Sequence, residues 1–232
     1  MAFVNQDLYP GEFLLHKKYA KSELLLSLVW THSNIVAEIA IDRLDNGEFE
    51  KSNIKREFVI QASLLHDIGV YACGGFEWMP GQEPVDRPYV QHTVVGAWIL
   101  QQEGYDPSIV QVTHNHAGVG INTLDITNYG LQLPAQDFVP RSTFEQLISF
   151  SAKFHSKAPK FKDVSEIELG LKSYGQEKVD VFHEWLSAFG EPNLEPLKEK
   201  YADWHKSFKY QMENLHTPGA APLNSAGIAT SL

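Results

Sequence analysis

The chain has 232 residues, 43% hydrophobic and 21% charged, a composition that fits one substantial globular domain with helical additions. Its formal net charge of −10 speaks against an extended nucleic-acid partner, while a bound cation can still reverse the local field for a small anionic substrate. The single cysteine, Cys73, excludes an internal disulfide framework or a thiolate metal site and fits a cytoplasmic location.

Residues 1–19 are read as an N-terminal segment without the basic start and apolar core of a signal peptide. From Ser22 to Leu44, the apolar residues Leu25, Val29, Ile35, Val36 and Ile39 recur at helical spacing, and His32 falls on their stripe. Ile54 to Leu65 predicts a second helix, with Phe58, Val59, Ala62 and Leu65 on one face, closed by His66-Asp67 and terminated by Gly69. Residues 70–88, rich in Gly and Pro, predict a loop. Tyr89 to Gln102 predicts a third helix, with His92 on the face of Val95 and Ile99.

Pro107 suits the first turn of a short helix over residues 107–116, where His114 follows the spacing of Val110 and His116 that of Ile109 and Val112. A second loop is expected from Ala117 to Arg141. Ser142 with Glu145 then has the pattern of a capping box. Val164 to Phe189 and Leu194 to Met212 predict further helices, and the small, apolar-poor residues 214–232 predict a disordered tail. No segment reads convincingly as a strand and no run of about 18 apolar residues suggests a membrane span, so the expected fold is all-α, with no membrane partner. An oligomer is left open.

The histidines carry the chemistry. His32, His66, His92 and His116 stand on apolar faces or at their ends, where an imidazole needs a hydrogen bond or a cation. His66 and Asp67 together offer a nitrogen and an oxygen capable of bridging two ions. Imidazole with carboxylate suits Fe, Mn, Zn, Co or Ni better than magnesium. His16, His183, His205 and His216 read as ordinary core or surface histidines.

The ordered motifs Thr31-His32-Ser33, Leu64-Leu65-His66-Asp67-Ile68-Gly69, Gln91-His92-Thr93-Val94-Val95-Gly96-Ala97 and His114-Asn115-His116-Ala117-Gly118 resemble the successive ligand motifs of the HD superfamily, closest to its HDIG subgroup. The resemblance covers roughly residues 20–160, with residues 161–213 expected as helices packed on the same domain. It implies an all-α metal-dependent phosphohydrolase acting on a small, nucleotide-like phosphate ester. His32, His66 and Asp67 are then ligands of a first metal ion and His92 and His116 of a second, with His114 an alternative ligand and Asp67 and His66 the catalytic pair. The two extra histidines are similar to the two-metal branch that includes HD-GYP phosphodiesterases, although the Gly-Tyr-Pro signature is absent.

The chain departs from the pattern at one position. Ser151-Ala152-Lys153 stands where the family carries an Ala-Asp-Lys-like stretch, so Ala152 marks a vacant ligand position: either the site is impaired, or a water or another side chain, with His155 the nearest, fills the gap. Arg141 and Lys153, then Arg87 and Lys157, are the candidate phosphate-binding cations, and Trp78, Phe76 and Tyr129 are candidate stacking groups for a flat substrate. An HD-fold di-iron oxygenase and a non-catalytic nucleotide sensor are the alternative readings.

Overall fold

The structure, a computed structural model, describes residues 5–51, 54–80 and 82–214. The expected tail beyond Asn214, with His216, lies outside the described residues. The fold is all-α with one two-stranded hairpin.

Helix α1 (Pro10–Tyr19) begins on a proline, which loses no hydrogen bond in a first turn, and was not foreseen within the N-terminal segment. Helix α2 (Glu23–Asn46) is the axis of the molecule. The Ser22 hydroxyl caps it by accepting from the Leu25 amide at 3.1 Å. Every residue from Leu25 to Ala37 is buried, so this helix is covered all round rather than along one stripe. It is long and apolar enough to cross a membrane (mean hydropathy 1.5), but 83% of that stretch is buried inside the fold, as in the core helix of a globular domain.

Helices α3 (Arg56–Leu65) and α7 (Thr143–Ser151) pack directly on α2, α5 (Pro107–Asn115) packs on α3 and α7, and α4 (His92–Gln102) packs on α5, with α6 (Thr123–Asn128) between α5 and α7 in sequence. One apolar cluster joins Leu28, Val29 and Val36 of α2 to Leu64, Leu65, Leu100, Ile109, Val112 and Ile148. A second joins the far end of α2, through Ile39 and Leu44, to Phe150, Phe154, Phe182, Trp185 and Phe189. Phe182, Trp185 and Phe189 of the C-terminal part of the chain thus pack with the far end of α2 in this second cluster.

Several boundaries differ from expectation for local reasons. Gly69 does not stop the chain; a 3-10 turn, Ile68–Ala72, carries it on. The expected loop 117–141 holds α6, whose Asn122 and Asp125 form a reciprocal capping box. The predicted helix over 164–189 is divided into α8 (Val164–Lys172) and α9 (Gln176–Phe189), because Gly175 takes φ +115°. The predicted helix over 194–212 is divided into α10 (Glu195–Lys200) and α11 (Ala202–Asn214) at Tyr201. The hairpin of β1 (His155–Ser156) and β2 (Lys160–Phe161) went unread, since two residues per strand leave no alternation to detect. By contrast, the Ser142–Glu145 capping box at the start of α7 forms as the sequence indicates.

Candidate metal centre

Helix ends position three of the four central imidazoles. A helix leaves its last carbonyls without amide partners, and a side-chain donor there satisfies one of them. His66 caps α3 and sets its Nδ1 2.7 Å from the Ser63 carbonyl oxygen; His116 caps α5 and sets its Nδ1 2.9 Å from that of Thr113. His92, at the start of α4, places Nδ1 2.6 Å from the carbonyl oxygen of Tyr89 in the preceding 3-10 turn. A carbonyl can only accept, so each ring carries its proton on Nδ1. In the neutral ring, Nε2 is then a bare lone pair.

Those lone pairs converge on one carboxylate. His32 Nε2 and His66 Nε2 lie 3.1 and 3.0 Å from Asp67 Oδ2, and His116 Nε2 and His92 Nε2 lie 3.4 and 3.5 Å from Asp67 Oδ1. The His92 and His116 Nε2 atoms are 3.1 Å apart. All five residues are buried, Asp67 completely. Neither Asp67 oxygen, nor Nε2 of His32 or His66, has a hydrogen bond of good geometry. Acceptors facing each other in a core are costly unless a cation offsets them; Lys157 supplies one on Oδ2, and the imidazole and carboxylate donors also suit a divalent transition metal. The atoms form two groups of three, His32–His66–Asp67 and Asp67–His92–His116, each spanning no more than 4.8 Å and sharing Asp67. These two groups of buried histidine and aspartate donors could each hold a metal ion.

No protein-family model matches the sequence. Among curated proteins, the chain is 26% identical over 174 residues to a tRNA (cytidine(56)-2'-O)-methyltransferase of Thermoplasma volcanium, covering 73% of this chain and 44% of the relative. It is 27% identical over 129 residues to the enzyme of that name from Picrophilus torridus, covering 56% of this chain and 32% of the relative. It is also 30% identical over 110 residues to an uncharacterized protein of Methanocaldococcus jannaschii, covering 47% of this chain and 56% of that protein. The chain thus spans from about a third to just over half the length of the curated relatives it matches. Solved structures of similar shape include the HD domain of the L. monocytogenes phosphodiesterase PgpH. Its complex with cyclic-di-AMP has a TM-score of 0.45 and 15% identity, over 82% of this chain and 96% of that one. The same domain described without a ligand has a TM-score of 0.47 and 16% identity, over 88% and 95%.

Electrostatics at the histidine–aspartate cluster follow from its burial. Desolvation, the largest effect, lowers the pKa of His32 and His92 to about 3 and that of His116 to about 4, so the rings stay neutral and available as ligands. Burial alone would raise the Asp67 carboxyl, but the facing His66 ring and the Lys157 ammonium carry it well below the ordinary range. Lys157 Nζ lies 2.5 Å from Asp67 Oδ2 and 5.8 Å from the centre of the Tyr89 ring. Burial would lower the Lys157 pKa, and the Asp67 charge more than reverses that effect.

The remaining candidates fall in different places. His114 belongs to neither group; it stacks on Phe138 at 4.5 Å, with Nδ1 2.8 Å from Asn115 Oδ1 and Nε2 3.2 Å from Gln136 Nε2. Arg141 is exposed and paired with Asp137 at 3.2 Å, and exposed Arg87 donates to the Ala72 carbonyl at 3.5 Å. Lys153 is drawn toward the interior, its pKa pushed down to about 7 by burial and then by Lys157 and Lys162. Ala152 is half-buried against the first apolar cluster. Trp78 is tied to its own loop through Nε1 and the Gly75 carbonyl at 3.0 Å, Phe76 is core, and Tyr129 packs against Tyr174. His16 is a core histidine bonded to Tyr71 and Leu64, and His183 an exposed one paired with Glu168.

Two residues beyond the candidate ligands join the site. His155 is buried with Nδ1 3.0 Å from His32 Nδ1, and its Nε2 is 3.2 Å from Nε2 of His205. His205 is a half-buried, hydrogen-bonded histidine outside both ligand groups, as its sequence reading has it, and the hairpin and α11 bring it beside His155. No spacing rule links positions 155 and 205, so the sequence offered no signal for this contact.

Proposed function

We propose that the chain is a metal-dependent phosphohydrolase acting on a small, nucleotide-like phosphate ester. The observation that carries this reading is the convergence of bare imidazole nitrogens on the buried carboxylate of Asp67. His32, His66 and Asp67 would hold one divalent ion and Asp67, His92 and His116 a second, with Asp67 shared between them. Such ions lower the pKa of water and neutralise charge on phosphoryl oxygens.

The chain's own residues supply orientation and counter-charge. Backbone carbonyls of Ser63, Tyr89 and Thr113 lock three rings with Nε2 inward, so no rotamer has to be reset when a ligand arrives. Lys153, Lys157 and Lys162 interact repulsively and bring positive charge to one side of Asp67. In this reading Lys157 turns from Asp67 to the substrate phosphate once the carboxylate is otherwise neutralised. Methyl transfer is not carried over from the curated relatives, because the match spans less than half of each methyltransferase.

Ala152, together with the Lys157 ammonium already on Asp67, favours a second reading in which the fold binds a nucleotide without turning it over. One experiment separates the two. Metal content by mass spectrometry and a screen of phosphomonoesters and cyclic dinucleotides are run on the chain and on Ala152→Asp. Hydrolysis by the chain, enhanced in Ala152→Asp, supports the hydrolase. Metal and nucleotide binding without hydrolysis in either form supports the sensor, and absence of metal from both after loading with Mn, Fe, Co, Ni or Zn overturns the site.

A further inference from the structure

His32 differs from the other three central histidines in how its ring is held. His66, His92 and His116 each donate to a backbone carbonyl three residues earlier, available because the ring stands at a helix end or turn. His32 stands inside α2, where carbonyls are engaged by the amides of the next turn. A side-chain acceptor must take that role, and His155 Nδ1, 3.0 Å from His32 Nδ1, is in position.

The contacts then form a chain with an anchored end. His155 Nε2 lies 3.2 Å from His205 Nε2, and His205 Nδ1 lies 3.0 Å from the carbonyl oxygen of Tyr201. That oxygen cannot donate, so His205 carries its proton on Nδ1 and, when neutral, presents a lone pair at Nε2. His155 must then donate from Nε2 and accept at Nδ1, which requires His32 to donate from Nδ1. Each tautomer fixes the next, and the last leaves His32 Nε2 bare toward Asp67, 3.1 Å away.

We propose that His205 and His155 are positioning residues that set the tautomer of His32, tying the competence of the cation site to the seating of α11. The inference rests on the reading of His32 as a cation ligand for its consequence, and on the hydrogen-bond chain alone for its mechanism. The hairpin supports the placement: β1 begins at His155, and Phe161, its partner in register, packs edge-on against the His155 ring at 5.1 Å. Because α11 also contributes Phe208 to the first apolar cluster, displacing this helix would remove both an apolar contact and the acceptor that orients the chain.

The test is nitrogen-15 NMR of the histidine rings in the full chain, stripped of metal at pH 8, paired with zinc titration by calorimetry. The expected spectrum has His32 and His205 protonated on Nδ1 and His155 on Nε2. His205→Phe, which removes the acceptor, is expected to give mixed tautomers at His155 and His32 and to weaken zinc binding about 10- to 100-fold, the range for loss of a ligand-orienting partner. His205→Gln, whose amide oxygen can accept from His155, is expected to restore both. Protonation of His32 on Nε2 in the unaltered chain, or unchanged tautomers and zinc affinity in His205→Phe, would overturn the proposal. If the tautomers are as expected but the unaltered chain binds no zinc, the hydrogen-bond chain stands and the metal reading fails.

Discussion

The Lys157 ammonium and the Asp67 carboxylate form a buried ion pair, Nζ to Oδ2 at 2.5 Å, in the middle of the histidine cluster. Any divalent ion bound by Asp67 must compete with this internal cation. Lys157→Met is therefore expected to destabilise the metal-free protein by about 3–5 kcal/mol, the usual cost of stranding one member of a buried pair. The same variant should gain more thermal stability from added metal than the unaltered chain does, since bound metal stabilises the folded state by mass action. Melting temperatures with and without zinc check this; an equal metal-induced shift in both proteins would rule out the competition.

Gly69 is required by a close approach rather than by the end of a helix. A Cβ there would lie 2.0 Å from the His92 carbonyl oxygen and 2.5 Å from the Gly96 amide nitrogen, so the turn after His66-Asp67 lies directly on α4. Gly96 is restricted from its other side, where a Cβ would come 2.7 Å from Thr113 Cγ2 of α5. Gly69→Ala must push α4 and His92 outward. It is expected to cost about 2–4 kcal/mol, within the range for severe overpacking, and to weaken the Asp67–His92–His116 group more than His32–His66–Asp67. Denaturant unfolding and metal stoichiometry check both parts, and loss of both groups in equal measure would count against this geometry.

The ligand candidates were legible because each histidine sits on an apolar stripe or at its end, and periodicity reports such placement directly. The motif order then assembled residues far apart in sequence. Lys157 was legible only as a candidate cation, since nothing local shows that a lysine after a two-residue strand returns to a buried aspartate. The contact of His205 with His155 was not legible, because it depends on a hairpin too short to carry a pattern and on the break at Tyr201 that re-aims α11. Arg141, a candidate phosphate ligand by its position beside the motifs, is exposed and pairs with Asp137.

Glu145 links α7 to the helix that ends in His116. Its Oε1 accepts from Asn115 Nδ2 at 2.8 Å, while Oε2 accepts from the Ser142 amide at 2.9 Å and the Ser142 hydroxyl at 2.8 Å. The sequence showed the capping box but not the bond to Asn115. Glu145→Ala keeps the Ser142 cap on the residue-145 amide but removes the reciprocal half of the capping box, and it leaves the buried Asn115 amide without its acceptor. The expected loss is about 1–3 kcal/mol, the cost of leaving a buried polar group unsatisfied. Glu145→Gln should lose less, since Oε1 or Nε2 can still meet one of the two partners. Equal destabilisation by the two substitutions, measured in urea, would show that charge rather than hydrogen bonding matters here.

His16 provides a pH response separable from metal binding. It is buried, with Nε2 2.8 Å from the Leu64 carbonyl oxygen and Nδ1 2.7 Å from Tyr71 Oη, so Nε2 donates and Nδ1 accepts from the phenol. Burial, the largest effect, lowers its pKa from 6.5 to about 4. Between those values the unfolded chain binds the proton and the folded chain does not, so stability is highest above pH 6.5 and falls as pH drops toward 4. The full penalty from this residue is on the order of 3 kcal/mol, at 1.36 kcal/mol per pKa unit. His16→Gln can keep a donor to Leu64 and an acceptor for Tyr71 without titrating. In EDTA, its stability should fall less than that of the unaltered chain between pH 7.5 and 4.5, although His32, His92 and His116 impose a similar trend on both proteins. Parallel urea curves at the two pH values decide the matter: the same loss in both proteins would mean that His16 is not the group that takes up the proton.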